Sequence, residues 1–192
     1  FVDDLVRALK ERDVEVAGVD RMVLADQMAV MDLIALGRFL LLPDDDLILA
    51  TVLKGPLFAF DDEHLFDLAH DRPDSLWRAL RDGAITDPNL APVADELTAL
   101  LAVADFTPPF ELFADILGAR GGRRRLLARL GPDAEDPIAE FLDLALDYER
   151  SHAASLQGFL HWLDVGAVEV KRDLEHGTRD AVRVLTVHGA KG

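Results

Sequence analysis

One pattern runs from Asp26 to Val165: apolar residues recur at helical spacing in short stretches, and each stretch is bounded by capping residues, Gly or Pro. The most apolar stretch, 28–42, ends at Pro43. The triplets Asp44-Asp45-Asp46 and Asp61-Asp62-Glu63 each precede a predicted helix, where carboxylates cap free N–H groups and complement the helix dipole. Such regular punctuation predicts an assembly of short helices.

The same signals give the bounds of the predicted helices. After the helix that Asp26 opens, Ser75 or Asp74 is the expected cap of one helix, and Thr107 is the expected cap of another, with Pro at its first position. The further helices are predicted over 47–53, 65–69, 76–81, 91–104, 110–117, 123–130, 137–148 and 155–165.

Strand-like sequence occurs only near the two ends. Residues 181–187 are β-branched and mostly apolar, which suits a strand buried in a mostly parallel sheet, and 14–17 and 168–170 are weaker candidates. One strand cannot form a sheet alone. We therefore predict a mainly α fold, in which a helical insertion is flanked by short β segments of a truncated α/β domain.

Composition excludes several classes of protein. The 192 residues carry 20 Lys and Arg against 36 Asp and Glu, a net charge of −16, and no Cys. Without Cys there is no disulfide framework, thiolate nucleophile or zinc–thiolate site, which favours a cytoplasmic location. Asp32, Gly37 and Arg38 interrupt the apolar stretch 28–42, so it is too short and too polar for a membrane span, and no membrane partner is expected.

Three patterns could suggest catalytic or metal sites, and none of them predicts such a site. Helix capping accounts for both acidic triplets, so no metal site is predicted. The six His residues lack metal-ligand spacing. The tail 189–192 lacks the first glycine and the Ser or Thr of a phosphate-binding loop.

A basic segment stands out in this acidic chain. Five arginines fall within ten residues: Arg120, Arg123, Arg124, Arg125 and Arg129. The first four are candidate phosphate contacts, because guanidinium groups suit phosphate oxygens. The competing interpretation is that they pair with nearby acids such as Asp133, Glu135 and Asp136, since a surface of this net charge repels nucleic acid.

The tail carries the most specific signal. Thr186 lies at the end of the predicted strand, and His188 and Lys191 follow it directly, at the edge where open α/β sheets bind ligands. The run 182–192, with Thr186-Val187-His188-Gly189-Ala190-Lys191-Gly192, resembles motif V of UvrD/Rep-type superfamily 1 DNA helicases. With Ser155 to Leu160 and Glu169 to Arg172 upstream, it looks most like the AddA subunit of AddAB helicase-nucleases.

A second match lies near the front. Met31 to Leu36, then Asp45-Asp46, then Pro56, resembles the segment after motif IV, where the chain of these helicases leaves the RecA-like subdomain 2A for its helical insertion 2B. The resemblance implies three parts. Residues 1–55 would belong to 2A, 56–178 would form the 2B-like insertion, and 179–192 would return to 2A with a truncated motif V.

The resemblance implies an ATP-dependent DNA helicase or helicase-nuclease acting in double-strand break repair and recombination. ATP and magnesium would be its cofactors, and DNA and an AddB-like subunit its partners. Thr186 and His188 would contact DNA, and Lys191 and Gly192 would shape the turn toward the nucleotide. No catalytic motif is complete within these residues, so this chain would be a non-catalytic accessory region.

One departure and two alternatives accompany this prediction. Many relatives have a Gly-Ile-Gly turn after the proline equivalent to Pro56, where this chain has Leu57-Phe58-Ala59-Phe60. The larger residues argue against amide–phosphate contact and for packing against protein. The alternatives are a free-standing acidic all-α protein-interaction domain and a carboxylate-dependent hydrolase.

Overall fold

The fold comprises two compact units. The computed structural model describes Arg12 and residues 16–17, 21–165, 169–171 and 182–183. The first, called the terminal unit, is formed by Phe1–Val23 with Glu169–Gly192, and the second, called the helical unit, by Leu24–Val168. The second unit contains the helices described below, which confirms the prediction of a mainly α protein.

Nine α-helices lie in the described part of the chain. They are α1 Met28–Leu41, α2 Asp46–Lys54, α3 Asp62–Ala69, α4 Leu76–Gly83, α5 Ala91–Ala104, α6 Pro109–Leu117, α7 Gly122–Leu130, α8 Glu135–Ser151 and α9 Leu156–Val165. Short 3₁₀ turns precede α1 and α8, at Leu24–Asp26 and Pro132–Ala134. Each helix predicted between residues 26 and 165 is present, and most bounds differ from prediction by only one to three residues. Apart from Arg12, the helix that the sequence also predicts over 3–12 lies outside the described residues.

Among the residues described in the terminal unit, four very short strands pair in two ladders. Strand β1 (Val16–Ala17) pairs in parallel with β4 (Val182–Arg183). Strand β2 (Arg21–Val23) pairs antiparallel with β3 (Glu169–Lys171), and in this register Val23 is opposite Glu169. The chain therefore enters the helical unit after Val23 and leaves it before Glu169, two residues that are partners across one ladder.

Helix α1 is the centre of the helical unit. It packs against α2, α5, α7, α8 and α9. Its buried residues are Ala29, Val30, Leu33, Ile34, Leu36, Gly37, Phe39 and Leu40. A helix that is apolar on nearly every side is stable only when other helices surround it, as the sequence predicted for this stretch.

An aromatic cluster joins α6, α8 and α9. The rings of Phe113 and Phe141 meet edge to face at 4.8 Å, and Phe159 lies 5.5 Å from Phe141. Tyr148 extends the cluster, 5.6 Å from Phe159, and all four residues are buried. Aromatic pairs in this geometry add to the free energy of area burial, so these aromatic residues serve as core.

Three helix starts follow the predicted capping chemistry. Asp45, Asp61 and Ser75 accept from the backbone N–H groups of Ile48, His64 and Arg78 at 3.0, 2.8 and 3.4 Å. The predictions of Asp26 and Thr107 as caps were wrong. The N-cap positions of α1 and α6 are occupied by Gln27 and Pro108, and neither side chain accepts a capping hydrogen bond.

The start of α6 is satisfied from another helix. A carboxylate oxygen of Glu149, in the last turn of α8, accepts from the backbone N–H of Phe110 at 2.7 Å. This bond satisfies a free donor at the N-terminus of α6. It also fixes α6 against α8, beside the aromatic cluster.

Candidate functional site

The four site residues of the motif V resemblance lie outside the described residues. Thr186, His188, Lys191 and Gly192 therefore keep the roles that the resemblance implies as predictions. The described residue nearest to them in sequence is Arg183, in the parallel ladder with β1. The division of the chain at residues 55 and 178 likewise stays a prediction.

The candidate phosphate contacts lie around the start of α7. Arg120 donates from Nε to Asp115 at 2.6 Å, and Arg123 pairs with Glu135. Arg125 binds Glu96 through both terminal nitrogens, at 2.9 and 3.3 Å. Three of the four candidates thus have carboxylate partners, which confirms the competing interpretation for Arg123 and Glu135.

Arg125 also connects the basic segment to the turn that follows Pro56. Its guanidinium lies 5.7 Å from the ring centroid of Phe58 and donates to the carbonyl oxygen of Arg120 at 3.1 Å. A guanidinium that already contacts a carboxylate, an aromatic face and a carbonyl oxygen stabilises the fold and is not free to bind a phosphate. Among the described residues, Arg124 and Arg129 have no ion-pair partner and are exposed, so they remain the arginines that could meet an outside anion.

The turn after Pro56 uses its amides internally. Phe58 and Ala59 both donate to the carbonyl oxygen of Gly55, at 3.2 and 2.8 Å, and Phe60 donates to that of Leu53 at 2.9 Å. Leu57 is buried. Three consecutive N–H groups that already have acceptors are not free to hold a phosphate, which agrees with the expectation from the bulky residues of this turn.

Ala59 adopts a left-handed conformation in this turn, with φ at 56°. A side chain in that region costs about 1 kcal/mol, and glycine avoids the cost at the expense of a more flexible unfolded chain. We expect Ala59→Gly to stabilise the protein by about 0.5 kcal/mol in urea denaturation. Ala69→Gly, in the last turn of α3, is the control and should destabilise it. A loss of stability in Ala59→Gly would contradict the described turn.

The acidic triplets serve structure. Asp46, at the first position of α2, accepts from the backbone N–H of Leu76 at 2.6 Å and pairs with Arg72. The Leu76 hydrogen bond, together with Arg72, lowers the pKa of Asp46. The Asp61 carboxylate caps α3 and contacts the His64 ring at 2.6 Å, which lowers the pKa of Asp61 and raises that of His64.

The described residues contain neither a candidate metal centre nor a candidate membrane-spanning helix. No group of three or more His, Asp and Glu side chains is arranged to hold a metal ion. No helix in this part of the chain combines the length and the apolar character needed to cross a bilayer.

Sequence reasoning missed one feature, the environment of Asp32. Its side chain lines a cavity beside α1, and its Oδ2 atom is buried without a hydrogen-bond partner. Burial raises the pKa of Asp32 to about 6. The only signal in the sequence was an acidic residue inside the most apolar stretch of the chain.

Comparison with known proteins gives no family assignment. No protein-family model matches the chain, and no curated protein matches it significantly.

Proposed function

We propose that this chain is part of a UvrD/Rep-type superfamily 1 DNA helicase, most like the AddA subunit of AddAB helicase-nucleases, and that it forms the helical insertion with its flanking RecA-like segments. The observation that carries the proposal is the pairing of Val23 with Glu169. A unit that begins and ends at paired residues is an excursion from another domain, as subdomain 2B is in these helicases.

The parallel ladder of β1 and β4 adds further support to the proposal. Val16 and Val182 are partners, although more than 160 residues separate them. Parallel strands belong to sheets that are covered on both faces, as in α/β domains. The strand that would lead into motif V therefore has a partner strand at the opposite end of the sequence.

In this proposal the helical unit is an accessory region of an ATP-driven enzyme. ATP and magnesium would bind to motifs outside these residues, and Thr186 and His188 would contact the DNA strand. The turn after Pro56 and the basic segment pack against each other through Phe58 and Arg125. We therefore assign this face to protein packing, within the enzyme or with an AddB-like subunit.

Motif V is tested in the protein encoded by the complete reading frame. We expect His188→Ala to lower DNA-stimulated ATP hydrolysis at least about tenfold, because a lost base or backbone contact is worth roughly 1–3 kcal/mol. The control is His161→Ala on the exposed face of α9. Equal rates in both variants, or a reading frame without nucleotide-binding motifs, would contradict the proposal.

The isolated chain should bind DNA poorly. With Arg120, Arg123 and Arg125 paired, the net charge of −16 dominates at a distance. We expect no saturation below about 10 µM in an anisotropy titration with single-stranded or duplex DNA at physiological salt. Arg124→Ala should reduce any residual low-salt binding more than Arg150→Ala, because Arg150 pairs with Asp147. A sub-micromolar dissociation constant would contradict this assignment.

The second candidate is an acidic protein-interaction domain. Two large apolar side chains favour it: Ile85 and Phe106, in loops after α4 and α5, are 82% and 86% exposed. The same reading frame separates the two candidates, since an interaction domain requires no helicase motifs on either side.

A further inference from the structure

A cavity opens beside α1 and is bounded by α2 and α9. It has a volume of about 340 Å³, within the range of sites that hold a small chemical group. Met28, Met31 and Ala35 of α1 line it together with Thr51 of α2 and Asp164 of α9. Met28 and Met31 are 66% and 54% exposed, so an occupant can enter the cavity from solvent.

The charged groups of the lining favour an uncharged occupant. Nη2 of Arg38 donates to Oδ1 of Asp164 at 2.8 Å, so these two charges neutralise each other. Oδ2 of Asp32 is buried, and a Cβ atom built on Gly55 would lie only 3.0 Å from Oδ1, so the Gly55 backbone crowds that oxygen. An uncharged group therefore complements this cavity better than an ammonium or a phosphate, since either ion would lose its hydration without a matching charge.

Most of the remaining lining is apolar and suits an aromatic ring. Ala25, Ile34 and Ala35 present only hydrocarbon side chains, and Met28 and Met31 lie three residues apart on one face of α1. A thioether makes favourable contacts with an aromatic ring, and a saturated ring of similar size lacks them. The cavity therefore fits an aromatic group better than an aliphatic one.

Exposed apolar side chains continue beyond the cavity. Val165, next to Asp164 at the end of α9, is 73% exposed, and both methionines extend into solvent. A free small molecule in the cavity would leave these side chains in water, whereas a polypeptide would cover them with the residues that flank its aromatic side chain. Aromatic residues that fill pockets are also common anchors of protein interfaces.

We propose that this cavity is an anchor pocket for a partner polypeptide, which inserts one uncharged aromatic side chain against Met28 and Met31. Although the chain has a net charge of −16, the Arg38–Asp164 pair is neutral, so the complementary segment of the partner is uncharged rather than basic. The pocket lies within the helical unit, and the proposal is independent of the helicase assignment.

The test is an NMR titration of the ¹³C-labelled methionine methyl groups with N-acetyl-phenylalaninamide, an uncharged analogue of a phenylalanine within a polypeptide. We expect the Met28 and Met31 signals to shift and saturate, with a dissociation constant on the order of 1–10 mM. N-acetyl-cyclohexylalaninamide has the same backbone and a more apolar ring, and should bind at least about threefold more weakly because it lacks the thioether–aromatic contact. Equal or tighter binding of the cyclohexyl analogue, or no shift with N-acetyl-phenylalaninamide, would overturn the proposal.

Two further probes test the charge and the source of the ring. N-acetyl-lysinamide carries an ammonium on an alkyl stem and should cause no saturable shift at the same concentrations. Benzyl alcohol has the ring without the peptide groups that extend over the exposed methionines, so it should bind at least about threefold more weakly than N-acetyl-phenylalaninamide. Saturable binding of the lysine analogue would contradict an uncharged occupant. Equal or tighter binding of benzyl alcohol would assign the cavity to a free small molecule and overturn the proposal.

Two variants test the location of the pocket. Ala35→Leu fills the cavity and should weaken binding of N-acetyl-phenylalaninamide at least about tenfold. Ala102→Leu, at an exposed position of α5, is the matched control and should leave binding within about twofold. Met31→Ala removes one thioether at an exposed position and should weaken binding, read from the Met28 signal, at least about threefold. Undiminished binding in Ala35→Leu or in Met31→Ala would place the ring elsewhere and overturn the proposal.

Discussion

Gly158→Ala is expected to destabilise the protein by about 2–3 kcal/mol, which lowers the melting temperature by roughly 5–10 °C. A Cβ atom built on Gly158 would overlap the hydroxyl oxygen of Tyr148 and lie 2.8 Å from Oγ of Ser155. Tyr148 is buried in the aromatic cluster, so its ring has little room to retreat. Urea or thermal denaturation measures the loss.

The double variant Gly158→Ala with Tyr148→Phe tests the cause. Removing the hydroxyl leaves Cζ of residue 148 as its nearest ring atom, at 3.4 Å from the new methyl group, an ordinary contact. Much of the lost stability should therefore return, with a coupling free energy of about 1–2 kcal/mol, while the 2.8 Å contact with Oγ of Ser155 remains. The control is Gly83→Ala, whose methyl group would meet the far end of the Leu90 side chain at 2.9 Å and make an ordinary contact with Leu68 at 4.0 Å. No recovery in the double variant would place the clash elsewhere.

Gly158 also bears on the resemblance to AddA. The segment Ser155 to Leu160 was part of that resemblance. In this structure Gly158 leaves room for the Tyr148 hydroxyl, and Phe159 packs against Phe141. Ser155 Oγ accepts from the backbone N–H of Gly158 at 3.2 Å, as a helix cap does. Packing and helix capping therefore explain this segment, whatever the function of the chain.

Helix bounds could be predicted because the chemistry that sets them is local. Asp45, Asp61 and Ser75 each cap an amide three residues further along. The prediction for Thr107 was wrong because the N-terminus of α6 is satisfied by Glu149, 39 residues away. A sequence pattern contains no information about which distant carboxylate a fold brings to a helix end.

In the basic segment, too, a partner close in the sequence could be predicted and a distant one could not. Glu135 was predicted as a partner because it is near Arg123 in the sequence, whereas Glu96, the partner of Arg125, is 29 residues away.

The three residues that interrupt the apolar stretch of α1 each have a specific structural environment. Gly37 lets Leu160 approach α1, since a Cβ atom there would lie 3.1 Å from a Leu160 methyl group, and Arg38 pairs with Asp164. Asp32, the third interruption, lines the cavity.

Asp32→Asn is expected to stabilise the folded protein by about 1–2 kcal/mol at pH 8. Burial raises the pKa of Asp32 from 3.8 to about 6, so the folded state holds this proton more tightly than the unfolded state. The full difference corresponds to about 3 kcal/mol. Partial exposure of the side chain reduces this value, because solvent screens the charge.

The sign and pH window follow from the two pKa values. Below pH 3.8 both states are protonated and Asp32 costs nothing, whereas the cost grows as pH rises and is complete above about 6. The gain in Asp32→Asn should therefore rise from a few tenths of a kcal/mol at pH 4 to its full value at pH 8, in urea denaturation with Asp105→Asn as control. A gain independent of pH would mean that ionisation of Asp32 is not the cause. A loss of stability would mean that its carboxylate has a partner in the folded state.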